Sequence, residues 1–314
     1  FCLCFLFSCA ILFCRIVRSA NRGAIRGYQI KEDLQMIHSI ENDYLKISVD
    51  DHGAELCSIY DKIHNREVLW QADPAYWNRH APILFPNVGR FYKDHYRING
   101  KEYPAKQHGF ARDSEFTCLD MTADSITHVL KASDATMEIY PFDFELKVKH
   151  VLDKNQVCVC WEVTSHSEEP MYFTIGGHPA FNVPAEGIGS KKEYHLTFDG
   201  QDSLSYLLVA DDASGTAAAD KLYTLELDHG TCLIDAHMFD KDALIFDEQV
   251  EKAGFAFPDG SPYLELTCHG FPSFGIWSVP GSSFVCLEPW IGRCDDSGFT
   301  GDLSEKKYIN ILNK

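Results

Sequence analysis

The sequence predicts an all-β protein, built as one large antiparallel β-sandwich. Three observations carry that prediction. Short segments alternate apolar and polar residues with a period of two, the spacing of a half-buried strand. Turns containing Asp, Asn and Gly separate them. Helical periodicity between them is scarce, which argues against parallel βαβ units.

The elements follow in chain order. Residues 44–49 (YLKISV) read as a strand, Asp50-Asp51-His52-Gly53 as its turn, and 54–59 (AELCSI) as its partner. Residues 96–98 and 101–103 flank Asn99-Gly100, the strongest hairpin signal in the chain. Residues 144–152 (FELKVKHVL) alternate cleanly, 153–156 turn, and 157–163 (VCVCWEV) return. Residues 194–198, 263–267 and 274–279 behave alike. No repeat, low-complexity tract or linker interrupts them, so residues 36–314 read as a single domain.

Residues 1–35 do not match this pattern. Residues 1–14 (FCLCFLFSCAILFC) are almost wholly apolar, and Arg15, Arg18, Arg22 and Arg26 follow. The run is shorter than the roughly 20 residues of a membrane span. No Lys or Arg precedes it, unlike a secretory signal. A truncated anchor, an unprocessed extension and upstream sequence outside the natural protein compete, and the last is favoured. Residues 1–35 are therefore read as a leader outside the domain.

The 314 residues carry 28 Lys+Arg against 46 Asp+Glu, a net charge of −18. Without the five basic and two acidic residues of 1–35 the domain keeps 23 against 44, a charge of −21. Such acidity excludes nucleic acid as a partner, and anionic membrane surfaces for the domain. An aromatic content of 13% excludes a disordered chain.

Eight cysteines follow Met36, at 57, 118, 158, 160, 232, 268, 286 and 294, without a Cys-x-x-Cys pair. They read as buried thiols. The absence of an Asn-x-Ser/Thr sequon points to an intracellular, cytoplasmic protein. Oligomeric state is left open.

The nucleophile elbow, phosphate loop, dinucleotide fingerprint and His-Glu-x-x-His are all missing. None of the fourteen histidines shows paired ligand spacing, so no metal is expected. Three ionisable residues stand in unusual company. His108 lies in Gln107-His108-Gly109-Phe110-Ala111-Arg112, His178 in Gly176-Gly177-His178-Pro179, and Glu288 in Cys286-Leu287-Glu288-Pro289-Trp290. Each sits among glycine, proline and large apolar side chains, surroundings that desolvate a charge and shift its pKa. Singly each has a plain structural reading, with Glu288 paired to nearby Arg293. Two histidines and a carboxylate in three such settings favour an acid–base site.

From Met36 onward the chain resembles the aldose 1-epimerase (galactose mutarotase-like) family, most closely its LacX-type branch. The resemblance runs through Gly53-Ala54-Glu55-Leu56, Pro86-Asn87-Val88-Gly89-Arg90, the His108, His178 and Glu288 segments, Asp242-Ala243-Leu244 and Gly275-Ile276-Trp277. It implies a supersandwich fold, a small-molecule sugar as partner, interconversion of aldose anomers, and no metal or organic cofactor. It implies Glu288 as general base, His178 as general acid and His108 as second active-site histidine. Arg90 matches the sugar-binding arginine. Asp242 matches the hydroxyl-binding aspartate in a looser pattern, with Asp240 close by. Phe110, Trp277 and Trp290 are candidate walls against the sugar, with sandwich core as the alternative for each. The chain has Gly177-His178-Pro179 where the best-studied mutarotases carry an Asn-His-Thr-type motif. Two rivals stand beside this reading. A hexose-6-phosphate 1-epimerase would use Arg112, with Arg90 or Arg97, to bind phosphate. A non-catalytic sugar-binding module would have no need of all three ionisable groups.

Overall fold

The computed structural model describes residues 2–6 and 36–313. Among the described residues, strands pair antiparallel in two large sheets, a smaller four-stranded one and three two-stranded ones. The nine-stranded sheet runs Thr231–Leu233, His195–Phe198, Lys252–Ala256, Pro262–Thr267, Cys2–Leu6, Gln156–Ser165, Phe144–Asp153, Ser125–Lys131, Thr117–Met121. The six-stranded sheet runs Leu244–Asp247, Ser273–Trp277, Phe284–Ile291, Ile175–Gly177, Ile83–Leu84, with Ala180–Asn182 also on Phe284–Ile291. The four-stranded sheet is Ile37–Glu41, Leu45–Asp50, Leu56–Asp61 and Arg66–Glu67. The expected all-β sandwich is thus the observed class.

Local chemistry explains the clearest elements. Strands Phe144–Asp153 and Gln156–Ser165 pair over their full length, and the first alternates buried with half-buried or exposed side chains. Asn99 and Gly100 both take positive φ, 50° and 77°, the twist a two-residue hairpin needs. The expected strands shift by one or two residues at their ends. Helix Asp134–Ile139, capped by the Ser133 side chain, falls below the length at which periodicity is readable.

One core lies between the sheets. Leu146, Val148 and Trp161 of the nine-stranded sheet join Ile175, Ile276, Val285 and Leu287 of the six-stranded one. No helix among the described residues is long and apolar enough to cross a membrane.

Two expectations concern the N-terminus. The leader lies outside the described residues at 1 and 7–35. Residues 2–6 pair with Gln156–Ser165 and Pro262–Thr267 inside the nine-stranded sheet. The reading of eight thiols needs correction, because Cys158 and Cys160 are disulfide-bonded. Both lie on Gln156–Ser165, the strand that pairs with Cys2–Leu6. Cys57, Cys118, Cys232, Cys268, Cys286 and Cys294 are free.

Candidate active site

Strand Phe284–Ile291 is buried on both faces. Its alternation sends Val285, Leu287 and Ile291 into the main core and Phe284, Cys286, Glu288 and Trp290 to the other side. Glu288 therefore lies on a sheet face without reaching solvent, at 1% exposure. The segment after Ile175–Gly177 carries His178 to that face, its backbone N–H donating to the Pro82 carbonyl at 3.1 Å. His178 Nε2 stands 3.3 Å from Glu288 Oε2. Trp77 stacks on the His178 ring at 4.9 Å, and Trp277 meets it edge-on at 5.6 Å.

His108 enters from a loop. Its φ of 65° is an uncommon conformation for a side chain with a Cβ. A two-bond clamp holds it there. The His108 N–H donates to the Gly89 carbonyl at 2.8 Å, and the Gly89 N–H donates to His108 Nδ1 at 3.1 Å. That second bond fixes the tautomer: Nδ1 accepts, so the neutral ring carries its hydrogen on Nε2. Gly109 follows at φ 70°, and a Cβ there would lie 2.2 Å from the Phe85 carbonyl oxygen, so only glycine fits. The His108 ring meets His178 edge-on at 5.5 Å.

Desolvation dominates the electrostatics. Burial pushes the Glu288 carboxyl well above the usual range, helped by the negative charge of Asp242. Burial pushes His178 down to about 3, with Arg112 and Arg79 adding like-charge repulsion. Burial, then the other histidine, holds His108 well below its ordinary value. Burial thus shifts both members of the Glu288–His178 pair towards their uncharged forms, the carboxyl upwards and the imidazole downwards. Cys286 completes a three-donor cluster with His178 and Glu288, their ligand atoms within 4.8 Å of one another. Burial raises its thiol well above its ordinary value.

Trp290 forms a floor beside Glu288, two residues along the strand on the same face. A glycine on each neighbouring strand makes room for its indole. A Cβ at Gly275 would lie 2.3 Å from the ring, and one at Gly176 2.5 Å. The indole N–H is buried without a partner of good geometry, yet close enough to Glu288 to pull its pKa back down. Arg293 does not pair with Glu288; it binds Asp247 at 3.0 Å and Asp296 at 2.7 Å.

The other expected residues divide. Half-buried Arg90 pairs with Asp94 at 2.9 Å, and its charge reaches His108. Arg112 donates to the Gln107 carbonyl at 2.9 Å while its Nε is buried and unpartnered. Asp242 is exposed at φ 72°, and its charge acts on Glu288, whereas Asp240 is bound to His237 at 2.8 Å. The half-buried Phe110 ring packs edge-on or tilted against Phe85, Tyr140 and Phe144. Arg97 binds Glu102 and the Thr300 carbonyl instead of joining Arg112.

Three residues escaped the sequence reading as site components. Trp77 stacks on His178. Arg79 bonds the Arg112 carbonyl at 3.2 Å and Asp113 at 2.5 Å. Buried Glu55 accepts from the His80 and Ala81 N–H groups at 2.5 and 2.9 Å and anchors that loop. The available signal was a Trp and an Arg close together in a segment without strand alternation.

Residues 36–224 match the family model described as aldose 1-epimerase. The plasmid-encoded protein LacX of Lactococcus lactis subsp. lactis is 31% identical over 265 residues, 82% of this chain and 88% of that protein. A galactose mutarotase related enzyme from Lactobacillus acidophilus superposes with a TM-score of 0.83 at 33% identity, covering 88% of this chain and 93% of that one. A galactose mutarotase-like protein from Lactobacillus casei gives 0.79 at 30% identity, covering 88% and 95%.

Proposed function

The chain belongs to the aldose 1-epimerase family, and from that premise we propose that it interconverts the α- and β-anomers of an aldohexose by acid–base ring opening. The observation that carries this reading is the buried His178–Glu288 pair at 3.3 Å. Mutarotation removes a proton from the C1 hydroxyl and delivers one to the ring oxygen, two atoms of the same acetal. A site needs one base and one acid side by side, holding one proton between them. Transfer of the resting proton from Glu288 to His178 makes a carboxylate and an imidazolium without changing the net charge. Glu288 then takes the O1 proton, and His178 protonates the ring oxygen. The ring opens, the aldehyde turns about C1–C2, and closure on either face reverses the transfers. His108, with its hydrogen on Nε2, donates to the ring oxygen and steadies the charge developing there. Trp290 and Trp77 supply apolar surface, and Arg90 a planar fork for two sugar hydroxyls. Proton transfers alone complete the reaction.

A second reading rests on a specific feature. Arg79 and Arg112 lie close enough for like-charge repulsion to lower Arg112, after burial, with Asp113 as a nearby counter-charge. That positive cluster suits a sugar phosphate. Optical rotation of freshly dissolved α-glucose and α-galactose, against α-glucose 6-phosphate, decides between them. Glu288→Gln is expected to slow exchange by about 10²–10⁴ with an unchanged circular dichroism spectrum. Full activity in that variant overturns the assignment. Sugar binding by the wild type without faster exchange supports a binding module.

A further inference from the structure

Away from the His178–Glu288 pair, four metal-donor side chains converge where two sheet edges meet. His38 lies on Ile37–Glu41, the outer strand of the four-stranded sheet, and Asp51 in the turn after Leu45–Asp50. Cys118 lies on Thr117–Met121, the outer strand of the nine-stranded sheet, and His128 on its neighbour Ser125–Lys131. Cys118 and His128 stand directly opposite each other in the pairing, so they share a face. Asp51 Oδ1 contacts Nε2 of both histidines, 2.9 Å from His38 and 3.1 Å from His128. The ligand atoms of His38, Cys118 and His128 all lie within 4.8 Å of one another.

We propose that His38, Asp51, Cys118 and His128 form a binding site for a divalent transition-metal ion of the zinc type. Two imidazoles, a thiolate and a carboxylate are a donor set that zinc takes, in tetrahedral array with bonds of about 2.0–2.3 Å. That geometry spaces neighbouring donors roughly 3.3–3.8 Å apart. The His–Asp separations are slightly shorter and the 4.8 Å limit on the others slightly longer, so small side-chain movements close the shell. Each neutral imidazole shifts its hydrogen from Nε2 to Nδ1 and binds the ion through the freed Nε2 lone pair, Asp51 turns its carboxylate from the imidazoles to the ion, and Cys118 releases its thiol proton to solvent. His128 is fully buried and fixed, while His38, Asp51 and Cys118 are half-buried and leave a path for entry. None of the four is hydrogen-bonded or ring-packed with His108, His178 or Glu288 among the described residues. The ion would therefore tie two sheet edges together without entering the reaction.

The test uses the full chain, stripped with a chelator and titrated with Co²⁺ and then Zn²⁺. One equivalent of Co²⁺ is expected to give a thiolate-to-cobalt charge-transfer band in the near ultraviolet, absent in Cys118→Ser. His38→Gln, on a partly exposed edge strand, should weaken Co²⁺ binding by at least about tenfold and covers the case in which Cys118→Ser does not fold. Zn²⁺ should raise the Tm of the wild type and not that of Cys118→Ser. Circular dichroism monitors folding, and anomer exchange should be unchanged in both variants. No band in the wild type overturns the proposal, as does a band that survives in Cys118→Ser.

Discussion

His178 and His150 are both buried, and burial pushes each down to about 3, yet their surroundings differ in kind. His178 faces a carboxyl at 3.3 Å, two indole rings, and the charges of Arg79 and Arg112. His150 lies among Leu56, Ile83, Val159 and Trp161, with neither ring nitrogen hydrogen-bonded. The contrast teaches that a depressed histidine pKa records depth. A second proton carrier within reach makes a site.

The largest way to break that contrast is to remove the His178 ring. His178→Asn should cost about 10²–10⁴ in anomer exchange, roughly 3–5 kcal/mol of barrier, with folding retained. Initial rates by polarimetry check this. If His178 proved as dispensable as His150, the distinction would collapse.

A smaller effect is expected from the floor. Gly275→Ala places a methyl against the Trp290 ring, where an ideal Cβ would lie 2.3 Å away. Overpacking of this kind costs about 1–3 kcal/mol, read from denaturant unfolding, and the shifted indole should slow exchange as well.

The His150 side of the comparison is sharpened by pH. Each histidine has a folded pKa below its unfolded value near 6.5, so the unfolded chain binds the proton first. Stability should be fully present above that value and fall as pH drops towards 3. His150→Leu removes one such group together with two unpaired buried nitrogens. It should flatten the acid slope by up to about 1.4 kcal/mol per pH unit while leaving anomer exchange intact. Chemical denaturation at a series of pH values measures the slope.

Asp242→Asn is the mildest probe. The Asp242 charge raises Glu288, so its removal lowers Glu288, and the pair loses its last proton at lower pH. The alkaline limb of the pH–rate profile should move down by less than about one pH unit, because an exposed charge is screened. A shift upwards would contradict the placement.

The sequence by itself determined the strands and the turns between them. Period-two alternation in 144–152 and the Asn99-Gly100 turn are local properties, and local chemistry suffices to read them. It also marked His108, His178 and Glu288 as ionisable groups in desolvating company, since glycine, proline and apolar neighbours are adjacent in the chain. Only the tertiary structure decided what those groups meet. His178 reaches Glu288 because two distant segments are placed on one sheet. Trp77 joins them from a loop without any pattern. His38, Asp51, Cys118 and His128 have no readable spacing at all, because strand pairing, not sequence separation, brings them together. Backbone preference acts over a few residues, whereas a site is made by side chains converging through the core, and that convergence is written in the packing of the sheets.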